Sequence, residues 1–132
     1  MPQRHSTVTS RHQLWQDAAA FVAEHHSRPL DLDEVARALF TSRRQLQRVF
    51  EECGKTSFRS YLHAVRMDEA ARLLATSPLT VRAIAERVGY GQPAQFAKAF
   101  RRHHGMSPSE HRARRQVRSH TDERTHMLAV AA

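Results

Sequence analysis

The sequence predicts an all-α chain of seven helices, in which a short helix, a turn and a second helix form a unit that occurs twice, on either side of a long helix. Three observations carry this. Apolar residues recur at helical spacing almost throughout, while glycine is scarce (4 of 132 residues) and strand-like alternation is nearly absent. Capping signals punctuate the pattern at Asp31, Ser42 and Ser107. Finally, "LDEVARALFTSRRQLQRVF" is echoed by "VRAIAERVGYGQPAQFAKAF": Val35, Ala36 and Leu39 correspond to Ile84, Ala85 and Val88, and Leu46, Val49 and Phe50 to Phe96, Ala99 and Phe100, with one extra residue in the second turn.

Each element follows in order. Residues 1–12 read as a flexible polar arm. A first helix over about 13–26 places Leu14, Ala18, Phe21 and Val22 on one face, and Pro29 separates it from a short helix near 32–39. Asp31 is its expected N-cap, with Glu34 completing a capping box. Ser42 and Gln45 form a second box at the start of the third helix, which Gly54 closes. The long helix runs from about Ser57 to Ala75 on an apolar face of Phe58, Tyr61, Leu62, Val65, Leu73 and Leu74, and Ser77-Pro78 breaks it. A fifth helix spans about 81–88 and ends at Gly89; a sixth begins at Pro93 and stops at Gly105. Ser107-Pro108-Ser109-Glu110 opens a short last helix, and 117–132 is a polar C-terminal tail. The domain is therefore expected over 13–116, with the repeated units at about 32–53 and 81–104.

Lys and Arg outnumber Asp and Glu by 21 to 13, for a net charge of +8. That balance suits a polyanion, nucleic acid before an anionic membrane surface. A single cysteine, Cys53, excludes an intrachain disulfide. No apolar run reaches membrane-spanning length and the first residues lack a signal core, so a cytoplasmic, nucleoid-associated protein without a membrane partner is expected.

The charges fall in a pattern. In the third helix Leu46, Val49, Phe50 and Cys53 make a buried stripe, while Arg44, Gln47, Arg48 and Glu51 take the same spacing on another face, with Arg43 in the first turn. Arg pairs bidentately with guanine and Gln with adenine, and the second helix of a helix-turn-helix enters the major groove by its N-terminal part. Here the basic residues come first and Glu51-Glu52 last. In the sixth helix Ala94, Gln95, Lys98 and Arg101 face outward beside Arg102. Its Pro93-Ala94 start offers apolar contact and little hydrogen-bonding readout, so this half is expected to bind more through phosphates.

The segment from Leu14 to Arg115, and above all "IAERVGY" with "FAKAFRRHHGMSP", resembles the DNA-binding domain of the AraC/XylS family of bacterial transcription regulators. The resemblance implies a homeodomain-like array of seven helices with two helix-turn-helix motifs bridged by a long helix. It also implies promoter binding that activates or represses transcription, and RNA polymerase as a protein partner. By position in the family's motifs, Arg44, Gln47 and Arg48 resemble the base readers of the first motif, and Ala94, Gln95 and Lys98 those of the second. Two places depart from the pattern: "GQPA" replaces a polar N-cap region, and His111 replaces the aromatic that follows the SP pair. Within these 132 residues the effector domain the family often carries is not expected, which leaves control by abundance, a partner, or a fragment of a larger regulator.

Other readings are weaker. Ten histidines include the pairs His25-His26 and His103-His104, but no Cys or carboxylate stands at a familiar zinc spacing, so no metal and no cofactor are expected. Trp15, Phe21 and Cys53 read as core, and Arg66 as an ion-pair partner of Glu69 or another carboxylate. No nucleophile elbow or phosphate loop is present, so no enzyme is expected. A non-specific DNA-binding protein is the main alternative; Gln47 and Gln95 argue against it, because backbone binding needs only charge.

Overall fold

The computed structural model describes residues 7–115; the rest of the expected arm and the expected tail lie outside them. Six helices, α1 (Thr7–His25), α2 (Leu32–Ala38), α3 (Arg43–Glu52), α4 (Phe58–Thr76), α5 (Val81–Arg87) and α6 (Pro93–His104), are followed by α7 over 108–115. No strand occurs among the described residues. Helix α1 begins earlier than its apolar face suggests. Polar contacts accompany the added turns: His12 meets Gln16, and Arg11 is held by Glu52 of α3. Residues 7–12 are thus helix rather than arm.

The chain divides into two compact units at Arg66/Met67, within α4. In the first, Ala18, Val35, Ala36, Leu46 and Phe50 form the buried core, with Trp15, Phe58 and Tyr61 packed against it. The Trp15 ring meets Phe50 edge-on (centroids 5.2 Å apart, 88° between planes) and Tyr61 at 5.1 Å. A Cβ at Gly54 would lie 2.6 Å from Cη2 of Trp15 and 2.8 Å from the Phe50 carbonyl oxygen, so this position has room only for glycine. Arg66 holds the main chain: its Nε donates to the His26 carbonyl (2.9 Å) and its Nη2 to that of Arg28 (3.0 Å), fastening the segment after α1. The Glu69 carboxylate grips Arg72.

The second unit buries Met67, Ala70, Leu74, Ile84, Ala85, Val88, Phe96 and Phe100. Ser107 caps α7, accepting from the Glu110 N–H (3.1 Å). His111 fills the place the family gives to an aromatic. Its ring meets Phe100 edge-on at 5.5 Å, and burial, followed by the charges of Arg115 and His104, pushes its pKa below the usual histidine value. A ring kept neutral packs as an aromatic would. Arg112 donates from Nε to the Leu74 carbonyl (3.1 Å) and from Nη2 to those of Ser77 (3.2 Å) and Leu79 (2.6 Å). Each unit therefore has an arginine clamped onto main-chain carbonyls at or just beyond a helix end.

The internal repeat is visible in the turns, bond by bond. In the first, Leu39, Phe40 and Thr41 donate to the carbonyls of Val35, Arg37 and Ala36 at 3.0, 3.2 and 2.9 Å. In the second, Val88, Gly89 and Tyr90 donate to those of Ile84, Glu86 and Ala85 at 3.0, 3.1 and 2.8 Å. Both turns pass through the left-handed region, at Phe40 (φ 56°) and Gly89 (φ 89°). Glycine is the economical choice there. Phe40 is also 97% exposed, so its ring gains nothing from the fold.

Candidate nucleic-acid interface

The two candidate helices are built alike up to their first turns. Helix α3 is seated through Leu46, Val49 and Phe50 and exposes Arg44, Gln47 and Arg48. Its N-cap works as expected on one side: the Ser42 hydroxyl accepts from the Gln45 N–H (3.1 Å). The return arm of the box is diverted, because the Gln45 Oε1 accepts from the Thr41 hydroxyl (2.9 Å). The box at Asp31 is likewise one-armed: Asp31 accepts from the Glu34 N–H (2.7 Å), while the Glu34 carboxylate takes Arg28 (2.7 Å).

Helix α6 is seated through Phe96 and Phe100 and exposes Ala94, Gln95, Lys98, Arg101 and Arg102. Its N-cap, Gln92, makes no side-chain capping bond, and Pro93 occupies the first turn. The departure read in "GQPA" is thus a physical one: nothing polar closes this helix start.

The cations differ in how far the fold already uses them. Arg43 is committed to Asp33 of α2 (2.9 Å), an exposed pair of modest strength that draws its guanidinium back toward α2. Among the described residues, Arg44, Arg48, Lys98, Arg101 and Arg102 make no ion pair. Within α3 itself the acidic groups stand at the far end: Glu51 and Glu52 end it, and Glu52 is held by Arg11. The sequence reading placed every candidate reader on an exposed face, but it did not foresee that Asp33 engages Arg43. An acid at that separation, on a neighbouring helix, leaves no periodic signal. Thr41–Gln45 was missed too, although an i, i+4 spacing into the first turn could have suggested it.

Two helix-turn-helix units, each exposing uncommitted cations on the face opposite its core, define a DNA-binding module of transcription regulators. A family model described as a helix-turn-helix domain matches residues 35–114. Across 105 residues the chain is 32% identical to the regulatory protein SoxS of Escherichia coli (strain K12), covering 80% of this chain and 98% of that one. It is 39% identical over 87 residues to the HTH-type transcriptional regulator GlxA of Rhizobium meliloti (strain 1021), covering 66% of this chain but 27% of that protein. Its fold superimposes on the DNA-binding domain of AdpA, a global transcriptional factor solved with a target DNA, with a TM-score of 0.72 at 31% identity, covering 79% of this chain and 94% of that one. The chain belongs to the AraC/XylS family of helix-turn-helix transcription regulators. It spans well under half the length of several larger relatives, from 27% to 41%. No helix among the described residues is long and apolar enough to cross a membrane.

Proposed function

We propose that this regulator recognises an asymmetric promoter site as a monomer, laying α3 and α6 in successive major grooves and acting on RNA polymerase from there. The observation that carries the reading is the pair of unlike reading faces on one repeated scaffold. Helix α3 offers Arg44, Gln47 and Arg48 behind a capped start; α6 offers Ala94, Gln95, Lys98 and Arg101 behind an uncapped one. Unlike readers call for unlike half-sites, and a chain carrying both needs no second copy.

Inserting about five base pairs between the half-sites, half of a ~10-base-pair turn, rotates the second groove to the far side. Specific affinity in a gel-shift or anisotropy titration should then fall toward that for random DNA. An unchanged affinity, or a dimer bound to a palindrome, would sink the proposal. Within α3, Arg44→Ala and Arg48→Ala should each cost about 1–3 kcal/mol on the specific site and relax the preference at one or two base positions. Gln95→Ala and Lys98→Ala should weaken binding while changing the preferred sequence less. Equal losses on specific and random DNA would reassign the α3 arginines to phosphate contacts.

A further inference from the structure

We infer that Asp68 of α4 with His103 and His104 of α6 forms a binding site for a divalent transition-metal ion of the zinc, cobalt or nickel class, which clips α6 to α4 within the second unit. No zinc spacing marks this site in the sequence, because the fold brings the carboxylate to the histidine pair from far along the chain. One ligand atom from each of the three lies within 4.8 Å of the others. Asp68 Oδ1 stands 3.7 Å from His103 Nε2 and 3.9 Å from His104 Nε2. A tetrahedral ion that holds N and O at about 2.0–2.2 Å separates its ligands by roughly 3.3–3.5 Å. The Asp–His separations therefore need to close by only a few tenths of an ångström. Asp68, whose side chain is 70% exposed, is free to make that adjustment.

The histidine side is already placed. The His104 side chain is 20% exposed, with its ring against Phe100 (centroids 4.5 Å apart) and His111 (5.9 Å). His103 crosses it nearly at right angles at 4.7 Å, so the two rings are oriented before any ion arrives. His104 Nε2 also lies 3.0 Å from the Met67 carbonyl oxygen, to which it donates when it carries the ring proton. Metal ligation at that nitrogen requires the other tautomer, with the proton on Nδ1. Two imidazoles and one carboxylate suit borderline divalent metals, whereas calcium and magnesium prefer sets made of oxygen. The cluster stands at the C-terminal end of α6, where unsatisfied carbonyls favour positive charge. Arg101 and Arg102 oppose a dication there, but both are exposed and screened by solvent.

The test uses the full chain titrated with Co2+ alone, read by visible absorbance, and its thermal unfolding with and without Zn2+. Asp68→Asn and His103→Gln remove exposed ligands, and a His25→Gln/His26→Gln variant controls for the other histidine pair. Wild type and control should bind one Co2+ with the intense bands of a low-coordinate site, and Zn2+ should raise their Tm. Asp68→Asn and His103→Gln should each bind at least about tenfold more weakly and lose the Tm shift. Equal binding in these variants, or none in wild type, would overturn the site. Should a variant fail to fold by circular dichroism, NMR of the wild type decides alone. Zn2+ must then move the ring resonances of His103 and His104 and leave those of His25 and His26 in place; the reverse pattern would overturn the site.

Discussion

Gly54→Ala should destabilise the protein by about 2–3 kcal/mol and lower its Tm by roughly 10 °C, an effect out of proportion to one methyl group. Gly54 is not in the left-handed region, so the cost is purely one of space. The added Cβ would approach Cη2 and Cζ3 of Trp15 to 2.6 and 2.7 Å and the Phe50 carbonyl to 2.8 Å. The indole could retreat only by giving up its edge contacts with Phe50 and Tyr61, and the carbonyl belongs to α3 itself. Trp15→Leu should be destabilising alone yet relieve part of the Gly54→Ala penalty. A double-mutant cycle should then return a coupling above about 1 kcal/mol. A Gly54→Ala protein within about 0.5 kcal/mol of wild type would show that the tryptophan does not pack there.

The second large effect is expected at Arg112. Replacing it with Met removes three bonds, to Leu74, Ser77 and Leu79, and leaves partly buried carbonyls behind. A loss of about 2–4 kcal/mol is expected in urea unfolding, since hydrogen bonds to charged groups carry more than neutral ones. Arg112→Lys should recover only a minor part. An ammonium can supply the charge but not the planar fork that reaches three acceptors on separate residues. Full rescue by lysine would mean that charge at the end of α4, rather than the fork, is what matters.

These two positions also show how far the sequence could be read. Leu46, Val49, Phe50, Phe96 and Phe100 were legible as core because helical periodicity records burial directly. Ser42, Asp31 and Ser107 were legible as caps because the bond spans three residues. Gly54 was legible only as a helix stop; that Trp15 needs its bare backbone is a contact between distant segments. The same blindness hides the hold of Arg66 on the His26 and Arg28 carbonyls, which no side-chain pattern encodes. It also explains the early start of α1, since Arg11 finds Glu52 only after the chain has folded. At the candidate interface the exposed faces followed from periodicity. Which cations the fold had already engaged did not, as Arg43 and Asp33 demonstrate.

Phe40 carries a different kind of consequence. Its backbone adopts a conformation that costs a residue with a side chain roughly 1–2 kcal/mol, and its ring touches nothing that would offset this. Glycine, at the matching turn position of the second motif, avoids that cost while giving back about 0.5–1 kcal/mol in chain entropy. The first turn therefore holds a small unclaimed reserve of robustness. A lineage that acquired a damaging change elsewhere in this unit could draw on it through one substitution, without disturbing a single packed atom.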